Sequence, residues 1–208
     1  MVSEALQTAA VLPVLRCPAE PLPAQPGIAN YLVNGGLPEA VGRQRAFYFS
    51  LAEHPAAWSD VPDGLSQTAL CSEKWNAAPS PLPPARPGPE YGLWHVASAV
   101  LGPASSTDVE RFAADCLRAS TADPPLMHAG AGTYISSTNY YNHVVNPNGP
   151  DCRSEGLLFA RSASSYHGGG VNILMADGAV KFAASAMDGS VWRAVGSKSG
   201  GEGGAASF

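Results

Sequence analysis

The clearest pattern of apolar and polar positions lies near the C-terminus, where the runs "VNILMA" and "AVKFAA" flank Asp177 and Gly178. An Asp-Gly pair between alternating apolar runs predicts a β-hairpin with a two-residue type I′ turn, both central residues taking positive φ. That turn pairs Val171 with Ala184, Ile173 with Phe182 and Met175 with Val180 on one face, the expected core face. Asn172, Leu174 and Lys181 then occupy the other face. Further upstream the period changes from strand to helix. In "STDVERFAADCLRA" Val109, Phe112, Ala113, Cys116 and Leu117 fall at i, i+3, i+4, i+7 and i+8, the stripe of an amphipathic helix. Thr107 followed by Glu110 reads as its capping box, and Cys116 as a core thiol. The remaining elements are short. "NYLVN" reads as a strand, as does the segment from Thr68 to Cys71 that follows the Asp63-Gly64 turn. Residues 132–152, rich in β-branched and aromatic side chains, read as strand and then loop at Asn-Pro-Asn-Gly.

Composition sharpens this into a fold class. Glycine and proline number 22 and 19 in 208 residues, and charged residues make up 14%, so turns abound and long helices do not. The expectation is a single α+β domain over 1–208, mostly antiparallel and β-rich. It has one main amphipathic helix, the C-terminal hairpin, long Pro/Gly-rich loops including a surface loop at 78–90, and a flexible tail at 200–208. A formal charge of −5 argues against nucleic acid as a partner, and no apolar run approaches the roughly 20 residues of a membrane span. The opening twenty residues carry Glu4 ahead of their apolar run and Pro13 within it, unlike a secretion signal. Four cysteines, at 17, 71, 116 and 152, are too few for a disulfide scaffold and lack the close pairing of a zinc site.

Candidate chemistry centres on His167 and Asp177. A six-residue strand between them spans roughly 17 Å, far beyond hydrogen-bond reach, so they are not expected to share a proton or a metal. The hairpin register instead predicts that His167 meets Asp188 in a structural clasp. Gly168 to Gly170 lead into a strand, whereas a phosphate cradle leads into a helix. His128 and His143 flank a Tyr- and Asn-rich stretch in which Tyr134, Tyr140 and Tyr141 could form a carbohydrate or protein surface, or simply pack as a strand. His54 and His95 have no partner visible in the sequence, and no nucleophile-elbow string occurs. Asn146, Asn148, Asp151 and Glu155 alternate as a conceivable calcium loop, with spacing unlike the standard one; no other cofactor is expected.

Taken together, "SYHGGGVNILMADGAVKF" and "MDGSVWRAVGSKSGGE" resemble the C-terminal signature of the bacterial prepilin-type processing-associated His-x9-Asp-Gly proteins, a family of unknown function. "LRCPAE" is similar to that family's early Cys-Pro segment and "ANYLVNGG" to its Asn-Tyr block. "VPDGLSQTALCSE" and "YNHVVNPNGPDC" are similar to two further blocks, so the resemblance runs from Cys17 to Glu202. It implies a pilin-like or pseudopilin-like exported head domain, here without the family's basic leader and long apolar helix. It implies no catalytic residue. The matched positions read as devices that hold the fold: His167, Gly169, Gly170, Asp177 and Gly178 in the hairpin, with Asp188 and Trp192 beyond it. Asp63, Gly64, Asn142, His143, Pro147 and Asn148 shape the other blocks. For an exported chain the resemblance also implies Cys17 and Cys152 as disulfide partners.

Three functions follow as expectations. The first is a non-enzymatic structural or assembly protein that packs against copies of itself or protein partners. The second is an extracellular module binding carbohydrate or another ligand. The third is a metal-dependent enzyme using His128, His143 or His167.

Overall fold

A computed structural model describes residues 11–21, 23, 29–37, 57–75, 93–97, 104–122, 140–155 and 158–201. Their elements, in chain order, are β1 (Tyr31–Asn34), β2 (Ala69–Glu73), β3 (Leu93–Val96), α1 (Ser106–Ala122), β4 (Tyr140–Tyr141) and β5 (Asp151–Ser154). There follow β6 (Phe159–Ala160), β7 (Gly170–Met175), β8 (Val180–Ala184) and α2 (Gly189–Gly196). One sheet has the order β4-β1-β2-β7-β8 and the other β3-β5-β6. β1–β4 and β3–β5 are parallel, and every other pair is antiparallel. The fold is therefore α+β, as the sequence predicts. Val109, Phe112 and Cys116 of α1 bury against Val96, Val144 and Leu158 beside the smaller sheet. Val171, Ile173 and Met175 of β7 bury against Trp192 and Val195 of α2. The Pro-rich stretch at 78–90 and the tail beyond Gly201 lie outside the described residues. Among the described residues no helix is long and apolar enough to cross a membrane.

The hairpin forms, but one residue out of the expected register. Val171 pairs with Ala183, Asn172 with Phe182 and Ile173 with Lys181. Gly178 has φ 90°, but Asp177 does not share its positive φ. The Gly178 N–H donates to Met175 O at 3.0 Å and the Met175 N–H to Ala179 O at 2.8 Å, closing a three-residue loop over Ala176 to Gly178. The Asp177 carboxylate accepts from the Ala179 N–H at 2.9 Å. A turn of this kind asks only glycine to go left-handed, whereas the predicted type I′ turn would have asked the same of an aspartate. The slip inverts every side chain of β8. Val171, Ile173 and Met175 remain buried, but Val180 and Phe182 turn outward, 68% and 48% exposed. Ala184 is exposed with them, and Ala183 takes the core position.

Helix α1 also corrects details. Its cap is Ser105 with Asp108: the Asp108 N–H donates to Ser105 Oγ at 3.2 Å, and the Ser105 N–H returns to the Asp108 carboxylate at 2.9 Å. Thr107 and Glu110 lie inside the helix, so the predicted capping box sits two residues late. Val109, Phe112 and Ala113 are buried as expected, whereas Leu117 is 49% exposed. Cys116 is not a free core thiol. It is bonded to Cys152, with 5.9 Å between the Cα atoms, and Cys17 and Cys71 are the free pair. The Cys17–Cys152 pairing is thus overturned. The parallel pairing of β3 with β5 carries Cys152 to the buried face of α1, while Cys17 lies at the end of β2.

The Cys116–Cys152 bridge closes a loop of 36 residues. Loop-closure entropy then gives it about 4 kcal/mol. A Cys116→Ala, Cys152→Ala double variant should lose about that much in urea unfolding followed by circular dichroism, with reductant lowering the wild type alone.

Candidate functional site

The signature residues do not gather into one site. Asp188 does not meet His167; it caps α2, accepting from the N–H groups of Ser190 at 2.7 Å and Val191 at 3.4 Å, and from the Ser190 hydroxyl. A helix N-terminus presents unpaired donors that a carboxylate satisfies better than an imidazole can. The hairpin ladder ends where Ser185 N–H donates to Gly169 O at 2.8 Å. There Gly169, at φ 80°, turns the chain away. A Cβ on Gly170 would lie 2.3 Å from Ala183 O, so only glycine fits. Asp177 stays in the turn at the far end, as expected.

The other blocks also act as braces. Asp63, beside Gly64 at φ 98°, holds the C-terminal segment by accepting from the N–H groups of Gly200 at 2.7 Å and Gly201 at 3.1 Å. Asn142 exchanges hydrogen bonds with the backbone of Phe159 and Arg161. Pro147 is buried in a turn closed by Gly149 N–H on Asn146 O, with Asn148 at φ 63°. Of the residues considered for calcium, Asn146 donates to the carbonyls of Ser185 and Met187. Asn148 donates to Gly170 O and Ser185 Oγ and accepts from Ser165 N–H. Asp151 forms an ion pair with Lys74 at 2.8 Å, and Glu155 is exposed.

Tyr141 is fully buried, so it belongs to the packed strand and not to a ligand surface. Tyr140 packs on Phe159, ring centroids 5.6 Å apart. His54, His128 and Tyr134 lie outside the described residues. His95 sits in β3 opposite Arg153.

His143 is a core histidine, stacked 3.9 Å from Trp192. Its Nδ1 lies 2.7 Å from Trp192 O, which can only accept, so Nδ1 carries the proton. Nε2, 3.0 Å from the Tyr141 hydroxyl, then accepts. Burial drives its pKa down to about 3, against the opposing pull of the Trp192 carbonyl. This ring is neutral structural filling, not the general base or ligand considered for it.

One cluster gathers the chemistry of three separate blocks. The "CPAE" segment forms a turn, with Glu20 N–H on Cys17 O at 3.0 Å, and presents the buried Cys17 thiol. Asn30 fixes that turn by accepting from Cys17 N–H at 3.0 Å and donating to Glu20 at 3.1 Å. Glu73 closes β2 with a side chain only 3% exposed, and the glycine run delivers His167. Cys17 Sγ lies 3.3 Å from Glu73 Oε1 and 3.4 Å from His167 Nε2, and that Nε2 lies 3.1 Å from Glu73 Oε1. Glu73 Oε2 accepts the Asn172 N–H at 2.7 Å. Burial pushes the Cys17 thiol above its ordinary range, and the Glu73 carboxylate adds to that, opposed by a hydrogen bond from the backbone at Ala19.

A family model described as a protein of unknown function, DUF1559, matches residues 1–190. The chain belongs to this family. No match is found among curated proteins or among solved structures. Cys17, Glu73 and His167 all lie within the span matched to DUF1559. In this DUF1559 chain Cys17 pairs with neither Cys152 nor any other cysteine and His167 does not pair with Asp188; both meet Glu73. Glu73 enters the sequence reading only as the last residue of the "VPDGLSQTALCSE" block, with no role given to it. The available signal was that Glu73 ends the "VPDGLSQTALCSE" block with a carboxylate directly after a strand pattern that predicts burial.

The His143 environment gives a pH dependence. Unfolded, this ring binds a proton below its ordinary pKa of 6.5; folded, it refuses one until about 3. Stability should therefore fall as pH drops through that window, by up to about 1.4 kcal/mol per pH unit from this group. Urea midpoints measured from pH 7 to pH 4 should show the slope in wild type and a flatter one in His143→Gln.

Proposed function

We propose that this DUF1559 protein is a non-enzymatic, exported structural or assembly protein, pilin-like or pseudopilin-like in kind, whose head packs against other copies of itself. The outer strand of the larger sheet carries the reading: β8 has a neighbour on one side only among the described residues, and its Val180 and Phe182 point outward. An apolar edge strand is a ready template for pairing with another chain. Antiparallel pairing of two β8 strands about Phe182 sets the two phenylalanines face to face and Val180 opposite Ala184. Lys181 then faces Ala183 and avoids its own counterpart, as like charges require. The Cys116–Cys152 bridge supports export, because such bonds persist in oxidising compartments. The work done by Asp63, Asn142, His143 and Asp188 in bracing backbone supports a non-enzymatic role. Carbohydrate binding has less support, since Tyr141 is buried and Tyr140 is packed against Phe159.

Sedimentation of the purified chain up to about 1 mM, where a contact of about 4 kcal/mol half-assembles, tests this. Wild type should form dimers or larger species, and Phe182→Lys should remain monomeric with an unchanged circular dichroism spectrum. A wild type that stays monomeric throughout overturns the reading.

A further inference from the structure

Three arrangements could bring a thiol, an imidazole and a carboxylate together: a catalytic relay, a plain hydrogen-bonded brace, or a metal site. A relay uses the two ring nitrogens for two partners, one on the nucleophile and one on the acid. Here a single atom, His167 Nε2, faces both Cys17 Sγ and Glu73 Oε1. The three donor atoms form a closed triangle with edges of 3.1, 3.3 and 3.4 Å. With Nε2 protonated the thiol and the ring both donate to Glu73 Oε1, a satisfied brace, but the Cys17–His167 edge at 3.4 Å then holds sulfur and nitrogen together with no hydrogen bond between them.

We propose that Cys17, Glu73 and His167 bind a zinc ion. Tetrahedral zinc with sulfur at about 2.3 Å and nitrogen and oxygen at about 2.1 Å sets its ligand atoms roughly 3.4–3.6 Å apart. The observed triangle needs to open by only a few tenths of an ångström to meet that. Among the described residues this is the one group of three or more His, Cys, Asp or Glu side chains whose ligand atoms converge in this way. The charges also close. Thiolate and carboxylate together cancel the dication, so a neutral centre replaces a buried charge, and the thiol proton leaves to solvent as the metal–sulfur bond forms. Sulfur and nitrogen donors select zinc over magnesium or calcium. Asn172 orients the carboxylate from outside, its backbone N–H on Oε2 at 2.7 Å and its side-chain amide on Oε1 at 3.4 Å.

Of the three side chains only that of His167 reaches solvent, 34% exposed against 3% for Glu73, so a water could complete the tetrahedron from that side. The notch beside Cys17 and Glu73, bounded by Glu20, Asn30, Trp75 and Tyr166, has no room for a water molecule. The centre is therefore a clip joining the N-terminal turn, the end of β2 and the glycine run. It stands or falls independently of assembly through β8.

The test uses the full chain, stripped with chelator and dialysed, then titrated with zinc in a calorimeter and with cobalt in a spectrophotometer. One zinc per chain, a rise in melting temperature, and a cobalt spectrum with thiolate charge-transfer and tetrahedral bands are expected. Cys17→Ser and His167→Gln should each weaken zinc by about 100-fold or more, the former also removing the charge-transfer band. His95→Gln should bind as wild type does. His167→Gln, at the exposed corner, keeps the test decisive if Cys17→Ser fails to fold. Folded wild type that takes up no zinc, or uptake undiminished in His167→Gln, overturns the proposal.

Discussion

The constraint on which the rest of the molecule turns is the burial of one carboxylate. Glu73 ends the central strand of the larger sheet with its side chain 3% exposed, and a carboxylate taken out of water costs several kcal/mol unless donors surround it. Each donor it recruits brings a distant segment with it. The Asn172 N–H comes from β7, the Cys17 thiol from the N-terminal turn and His167 from the glycine run. Lys74, the next residue, adds a second tether by pairing with Asp151 of the smaller sheet and donating to Ser162 O. Two adjacent charged residues thus join both sheets and the N-terminal segment at one end of β2.

Polar side chains buried elsewhere follow the same logic on a smaller scale. Asn34, fully buried, donates to Ala69 O and Gly196 O and accepts from Gly36 N–H, so one amide links β1, β2 and the end of α2. Trp192 donates to Val145 O and stacks on His143, whose ring in turn receives the Tyr141 hydroxyl. Among the described residues, long stretches lie outside the two sheets and the two helices. Side-chain amides and carboxylates supply the acceptors and donors these stretches lack, which is why most signature residues prove to be braces.

Those braces bear on function by what they leave free. Asp63, Asp188, Asn142, Asn148 and His143 are committed to backbone groups, whereas the outward apolar pair on β8 faces solvent and the donor atoms at Cys17, Glu73 and His167 converge on one another. The first concerns the outer surface and the second the interior, so the proposed assembly and the proposed zinc site draw on separate parts of one scaffold.

What the sequence by itself determined was local. The hairpin, its position, the core face of β7, the stripe on α1 through Cys116, and the turns at Asp63-Gly64 and Pro147-Asn148 all follow from periodicity and turn chemistry within a few residues. Tertiary structure decided everything that depended on meeting at a distance or on small energy differences between neighbours. The register of β8 turned on whether Asp177 had to share the left-handed conformation with Gly178, and a single residue of slip moved Phe182 from core to surface. The partners of Cys17, Cys152 and His167 lie 56, 36 and 94 residues away. Spacing along a chain carries no information about such meetings, because long-range contacts are chosen by how whole elements pack and by where a buried charge finds its donors.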